Sequence, residues 1–158
     1  MKSLLALLLP FTLAGCAGPY MLGDYKAPEG APTAVLQMST PQASGTLSST
    51  VSGSSFCGKA WYLDRITVEK DGHEGALMKI EAERQMDLML IYSPAYGGPF
   101  CRFYFSFLPK KDAKYDVELD SVGKYCYVRL FREDKRSDPP ARVAESSFLH
   151  SFPNCLGK

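Results

Sequence analysis

The sequence predicts an all-β protein whose body is a single antiparallel β-sandwich. Polar and apolar side chains alternate with the two-residue period of a strand in several short segments, most clearly over residues 100–108. These segments recur at roughly 10–15-residue intervals with polar turns between them, which is typical of sandwiches and barrels. The chain after residue 33 is long enough to bury one core, so we expect one domain over residues 34–158 with a C-terminal tail.

The N-terminus has the layout of a secretory signal. Lys2 supplies a positive start, residues 4–13 are apolar, and small residues lead to Cys16. The tetrapeptide Leu-Ala-Gly-Cys that ends at Cys16 resembles the lipobox of bacterial lipoproteins at all four positions. The resemblance implies a signal peptide over residues 1–15, cleavage before Cys16 and acylation of that cysteine. An ordinary signal peptide and an uncleaved anchor are the alternatives.

The residue after Cys16 bears on location. It is Ala17 and not Asp, which by the sorting rule of enteric lipoproteins implies the outer membrane. Multiple acyl chains, as in that family, anchor a protein stably, so the expected membrane contact is through lipid on the periplasmic face or the cell surface. Loss of Lys2 brings the 18 basic side chains level with the 17 acidic ones. A neutral body offers no electrostatic footprint for nucleic acid, which we do not expect as a partner.

The segment after the lipobox is predicted to be a flexible tether. Residues 16–33 are rich in Gly, Pro and Ala and show no hydrophobic period, so we expect a lipid-anchored flexible tether. Residues 34–38 and 46–51 are predicted to form a weak first hairpin, and a linker over residues 40–55 is the alternative.

The body then contains six predicted strands. They cover residues 61–68, 77–82, 86–92, 100–108, 115–119 and 125–132. Asp116, Glu118 and Asp120 alternate with apolar residues, which favours a solvated strand face over a pair of catalytic carboxylates. Residues 141–150 form either a short helix or a closing strand.

Two resemblances concern the body. Residues 108–117 resemble the E–F corner of immunoglobulin-like and fibronectin-like domains, where a tyrosine, here Tyr115, hydrogen-bonds back across the corner. Val117 stands where the immunoglobulin pattern has a cysteine, so the resemblance implies an immunoglobulin-like or transthyretin-like sandwich. A wider pattern is similar to small proteobacterial lipoproteins of unknown function, and it implies no chemistry. It consists of Cys101, Phe107, Pro109, Tyr115, Val117 and Cys126.

Four cysteines remain besides Cys16. They are Cys57, Cys101, Cys126 and Cys155. An even number in an oxidising compartment predicts two disulfides, and the absence of any C-x₂-C pair argues against a metal site. Cys101 and Cys126 both lie on apolar strand faces and can meet if their strands belong to facing sheets. We therefore favour Cys101–Cys126 with Cys57–Cys155, while the other two connectivities stay open.

Catalytic motifs are missing from the sequence. His73 and His150 belong to no H-E-x-x-H arrangement, and no G-x-S-x-G elbow occurs. We expect no enzyme activity, no cofactor and no metal.

One aromatic and basic set suggests recognition. Strand alternation predicts that Arg102, Tyr104, Tyr125, Tyr127 and Arg129 face outward, opposite the Cys/Phe/Val/Leu side. Tyr and Arg are enriched at binding hot spots, so these five residues form a candidate binding face. The alternative is that they cover the sheet beneath the C-terminal tail.

The expected function is a noncatalytic binding or structural module of the cell envelope. Its expected partner is an envelope protein or a glycan. The alternative is an inhibitor or host-directed binder, by analogy with the small β-rich lysozyme-inhibitor lipoproteins of the periplasm.

Overall fold

The computed structural model describes residues 20–40, 45–52, 59–68, 73–95, 100–122, 124–136 and 138–150. This part of the chain consists of strands and connecting turns, which confirms the prediction of an all-β protein. No helix in these ranges is long and apolar enough to cross a membrane. In chain order the strands are β1 (Tyr20–Asp24), β2 (Thr33–Thr40), β3 (Gly45–Ser52), β4 (Lys59–Val68), β5 (His73–Glu74), β6 (Met78–Glu81), β7 (Met86–Pro94), β8 (Cys101–Phe107), β9 (Lys114–Val122), β10 (Tyr125–Asp134), β11 (Ala141–Ala144) and β12 (Leu149–His150). Each of the six strands predicted in the body has a counterpart among β4 and β6 to β10.

The strands form two sheets. The first sheet has the order β1-β4-β3-β7-β8-β12, and the second has the order β11-β10-β9-β2-β5, with β6 also paired to β2. Most neighbours are antiparallel, but β1 runs parallel to β4 and β2 runs parallel to β9. The expectation of a purely antiparallel sandwich is therefore wrong at these two pairs. Both bring an N-terminal strand to a distant partner through a long connection, which permits parallel pairing where a tight hairpin does not.

One hydrophobic core lies between the two sheets. The first sheet contributes Leu88 and Phe105, and the second contributes Leu36 and Val117, all at most 1% exposed. Burial in β2 alternates residue by residue, as the two-residue strand period requires. The result is a two-layer architecture in which each sheet has an apolar inner face and a more polar outer face.

The predicted first hairpin does not form. Residues 34–38 belong to β2 in the second sheet, and residues 46–51 belong to β3 in the first. Each strand has other partners: β2 pairs with β9, β6 and β5, and β3 pairs with β4 and β7. Both segments alternate as strands do, but alternation does not specify the neighbour, and proximity in sequence suggested the wrong one.

The predicted tether is shorter than residues 16–33. Residues 20–24 form β1 on the edge of the first sheet. The Tyr25 amide donates a 2.6 Å hydrogen bond to the Tyr62 carbonyl, and the Tyr25 ring packs against the core. An edge strand needs backbone hydrogen bonds and not a hydrophobic period, which explains why the Gly- and Pro-rich composition misled the prediction. Residues 16–19 lie outside the described ranges.

The C-terminal segment forms two short strands, so of the two alternatives for it the strand is right and the helix is wrong. Residues 141–150 contain β11, on the edge of the second sheet, and β12, on the edge of the first. Between them Phe148 packs on Phe105 with ring centroids 5.1 Å apart. The segment therefore joins both sheets at one side of the core.

Candidate functional site

A disulfide joins the two sheets at one end. Cys101 begins β8 in the first sheet, Cys126 lies in β10 in the second, and their Cα atoms are 6.3 Å apart. This is the pairing that the sequence analysis favoured, made across facing sheets. We call this end of the molecule the disulfide end. The second expected disulfide, Cys57–Cys155, lies outside the described residues. The expected lipid site at Cys16 also lies outside them.

The predicted binding face is split between the two sheets. Arg102 and Tyr104 lie on β8, whereas Tyr125, Tyr127 and Arg129 lie on β10. Because the core occupies the inner faces, the outer faces of the two sheets point in opposite directions. The five residues therefore do not form one patch. Strand alternation carries no information about which sheet each strand joins.

Exposed aromatic side chains flank both cysteines at the disulfide end. Tyr125 and Tyr127, on either side of Cys126, are 69% and 51% exposed. Phe100, next to Cys101, is 59% exposed, and the Arg102 guanidinium lies 5.8 Å from its ring centroid. Tyr104 is half-buried farther along β8. We call Phe100, Tyr125 and Tyr127 the aromatic rim.

Arg129 belongs to a different feature, a charged network on the outer face of the second sheet. It pairs with Glu118 and lies 3.7 Å from Asp120. Arg142, from β11, reaches Asp116 at 2.5 Å and Glu118 at 3.0 Å. The Arg142 guanidinium also lies 4.2 Å from the ring centroid of Phe131.

This network corrects the expectation of a solvated carboxylate face. Glu118 is only 8% exposed and Asp120 only 9%. The arginines of β10 and β11 lie over β9 and cover these carboxylates. Each of the three acids has an arginine partner, so the network links three adjacent strands. Among the described residues no group of His, Cys, Asp or Glu is placed to hold a metal ion.

A cleft opens at the other end of the molecule. Its volume is about 240 Å³, and its aromatic walls are Tyr25 and Trp61. Val51 and Met86 form an apolar floor, while charged and amide side chains form the rim. The rim consists of Lys26, Glu81, Arg84 and Gln85. We call this feature the Trp61 cleft.

Polar contacts hold one wall of the Trp61 cleft, Tyr25, and part of its rim. The Tyr25 hydroxyl accepts a 3.1 Å hydrogen bond from the Glu81 amide. Burial raises the pKa of the Tyr25 phenol, and the hydrogen bond from Glu81 partly opposes that rise. On the rim, Arg84 forms a 3.6 Å ion pair with Glu81, and Gln85 donates a 2.9 Å hydrogen bond to Asp87.

Scans against protein-family models, curated proteins and solved structures find no match to this chain.

Sequence reasoning missed the Trp61 cleft because Tyr25 fell inside the expected tether. Only the packing of the segment after β1 brings Tyr25 to the strand that carries Trp61. The available signal was that Trp61 is the chain's single tryptophan. That signal alone did not point to Glu81 or Arg84, which lie beyond the next strand.

The corner tyrosine makes the predicted hydrogen bond and sets an alkaline limit on stability. Tyr115 is fully buried, and its hydroxyl accepts a 2.9 Å hydrogen bond from the Lys110 amide. Burial raises the pKa of Tyr115 above its usual value of 10.0, more than the hydrogen bond from Lys110 lowers it. The unfolded state therefore loses its proton first as the pH rises.

Stability should consequently fall in alkali. The contribution of Tyr115 is fully present below the unfolded pKa near 10 and is lost as pH rises through the higher folded pKa. The slope is at most about 1.4 kcal/mol per pH unit for one group. Urea unfolding of the wild type and Tyr115→Phe at pH 8 to 11 measures it. The phenylalanine variant should lose less stability in alkali, and parallel curves for the two proteins would contradict this assignment.

Proposed function

We propose that this chain is a lipid-anchored, noncatalytic binding module of the bacterial outer membrane, with a protein or glycan of the envelope as its partner. The lipobox resemblance at Cys16 supports the location. The single observation that carries the binding role is the aromatic rim, three exposed aromatic side chains beside a disulfide that ties the two sheets together.

The geometry supports a defined orientation on the membrane. Tyr20 pairs with Lys59 at the start of β4, whose neighbour β3 pairs with the start of β7 at this end. Cys101 pairs with Tyr92 near the other end of β7. β1 therefore begins at the end opposite the disulfide. From Cys16 to Tyr20 the chain spans at most about 14 Å when fully extended. A lipid on Cys16 would therefore hold that end close to the membrane and direct the aromatic rim away from it, at a distance of about one strand length, ~30 Å.

The fold proposal is an immunoglobulin-like or transthyretin-like sandwich. Two sheets around one core and the hydrogen bond between Tyr115 and Lys110 support it. The two parallel strand pairs are this chain's own departures from an antiparallel scheme.

One experiment with two arms tests location and binding. The first arm tests the lipid anchor, and the second tests capture of crosslinked partners. The full chain is expressed in a Gram-negative host, and mass spectrometry of the membrane fraction should show an acylated N-terminal peptide beginning at Cys16. Cys16→Ser should block processing. A mature protein in the soluble fraction that begins elsewhere would overturn the lipid anchor.

The second arm of this experiment compares tyrosine variants at opposite ends. Tyr127→Ala should weaken partner capture by about 30-fold, as expected for a hot-spot tyrosine worth ~2 kcal/mol, with little loss of stability. Tyr62→Ala is the matched control, since Tyr62 is 47% exposed but lies on β4 in the half away from the disulfide. If both variants retain every crosslinked partner, the aromatic rim is not the recognition site.

A further inference from the structure

We infer that the Trp61 cleft binds a single negatively charged sugar ring. This inference rests on the proposed role as an envelope-binding module and names a ligand class for a second site, at the end opposite the aromatic rim.

The size of the cleft sets the first limit. Its volume of about 240 Å³ lies below the roughly 300 Å³ at which sites for drug-sized ligands begin. A single ring-sized group matches this volume. The floor of Val51 and Met86 is apolar and mostly buried, so an entering group must offer an apolar face on that side.

The walls supply flat aromatic surfaces of the kind that stack on sugars. Trp61 and Tyr25 are both half-buried and both border the cleft. Tyr25 is held by its amide, which bonds to the Tyr62 carbonyl, and by its hydroxyl, which accepts from the Glu81 amide. A wall fixed at two points loses little conformational entropy when a ligand binds. The C–H face of a pyranose matches such a surface, while its hydroxyls turn to the rim.

The rim supplies hydrogen-bonding groups and a positive charge. Gln85 carries both a donor and an acceptor, as ring hydroxyls require. Lys26 and Arg84 outnumber Glu81, the one acidic side chain on the rim, which leaves a net charge of +1. The Arg84 side chain is 61% exposed and forms an ion pair with Glu81, and a forked guanidinium at the rim matches the geometry of a carboxylate or phosphate.

The position of the cleft agrees with a ligand at the membrane surface. Tyr25 lies nine residues after Cys16, a span of at most about 32 Å. With Cys16 acylated, the cleft stays within reach of membrane saccharides that carry phosphate and of glycans that carry carboxylate. Both sources present the same chemistry, a pyranose ring with one anionic substituent.

The chain's only tryptophan makes the test direct, because Trp61 fluorescence reports on this cleft alone. The full chain in detergent is titrated with glucose, glucuronic acid and glucose 6-phosphate, which share one ring and differ in charge. We expect a saturable change in emission with either or both acidic sugars and at least tenfold weaker binding of glucose. A stronger response to the phosphate or to the carboxylate identifies the source.

Variants assign the response to the cleft. Arg84→Gln should weaken binding of the acidic sugars about tenfold, as loss of one charge-assisted contact does. Arg65→Gln is the matched control, because Arg65 is an exposed arginine of β4 outside the cleft. No saturable change up to tens of millimolar, equal binding of glucose and the acids, or full binding by Arg84→Gln would each overturn the inference. The proposed function fails separately, through an unmodified Cys16 or a dispensable Tyr127.

Discussion

Removal of the Cys101–Cys126 disulfide is expected to lower the free energy of unfolding by about 3 kcal/mol. The bridge spans 25 residues of sequence, and closing a loop of this length restricts the unfolded chain by about that amount. Cys101 is 6% exposed, so truncation there also removes packing from the core. The effect should be large because this bond links β8 to β10, strands that belong to different sheets.

The double variant Cys101→Ala/Cys126→Ala isolates this bond. Reductant alone is less specific, since it also acts on Cys57 and Cys155. Thermal unfolding of the double variant should occur about 10 °C below that of the wild type, at ~3 °C per kcal/mol for a chain of this size. A variant that unfolds at the wild-type temperature would show that the two sheets hold together without the bridge.

The strands and their faces were predictable because they depend on local alternation. β7 shows this well: the sequence places Met86, Leu88, Leu90 and Tyr92 on one side, and all four are buried. The same reasoning placed Cys101 and Cys126 on apolar faces, and from there a sandwich allowed their bond. These inferences require only the two-residue period of the extended chain.

Strand partners were not predictable, because pairing is decided over long sequence separations. The candidate binding face failed for this reason: Tyr104 and Tyr127 point outward, but from different sheets. The prediction of a solvated carboxylate face on β9 was wrong for the same reason. These carboxylates do point outward, but Arg142 covers them. Arg142 lies 24 residues after Glu118, and no local sequence pattern predicts a contact over that separation.

The Trp61 cleft depends both on strand pairing and on side-chain contacts over long sequence separations. It needs β1 to pair with β4 in parallel, and it needs the segment after β1 to cross to the second sheet. Neither step follows from hydrophobic periodicity, since β1 is an edge strand of mixed composition. A site assembled from the ends of distant strands is therefore visible only once the topology is known.

The second large effect is expected at a buried ion pair beside the C-terminal strands. The Glu145 side chain is 1% exposed, and one of its oxygens lies 3.4 Å from Arg132, whose side chain is 28% exposed. The other oxygen accepts two 2.9 Å hydrogen bonds from Ser147, one from its amide and one from its hydroxyl. Glu145 thus orders the turn between β11 and β12 and depends on Arg132 for charge compensation.

Arg132→Met should lower the free energy of unfolding by about 3 kcal/mol. The methionine keeps most of the apolar stem but leaves a buried carboxylate without its cation, which costs about 3–5 kcal/mol in protein interiors. We take the lower end because Arg132 is partly open to solvent. Glu145→Gln should cost less, since the amide oxygen still accepts from Ser147 and no unpaired anion remains.

A double-mutant cycle decides whether charge compensation is the cause. In Arg132→Met/Glu145→Gln neither charge is left, so the double variant should be more stable than Arg132→Met alone, and the two losses should not add. Urea unfolding at pH 7 of the wild type, both single variants and the double variant provides the four free energies. If the losses are additive within about 0.5 kcal/mol, Arg132 stabilises the protein through packing and not by neutralising Glu145.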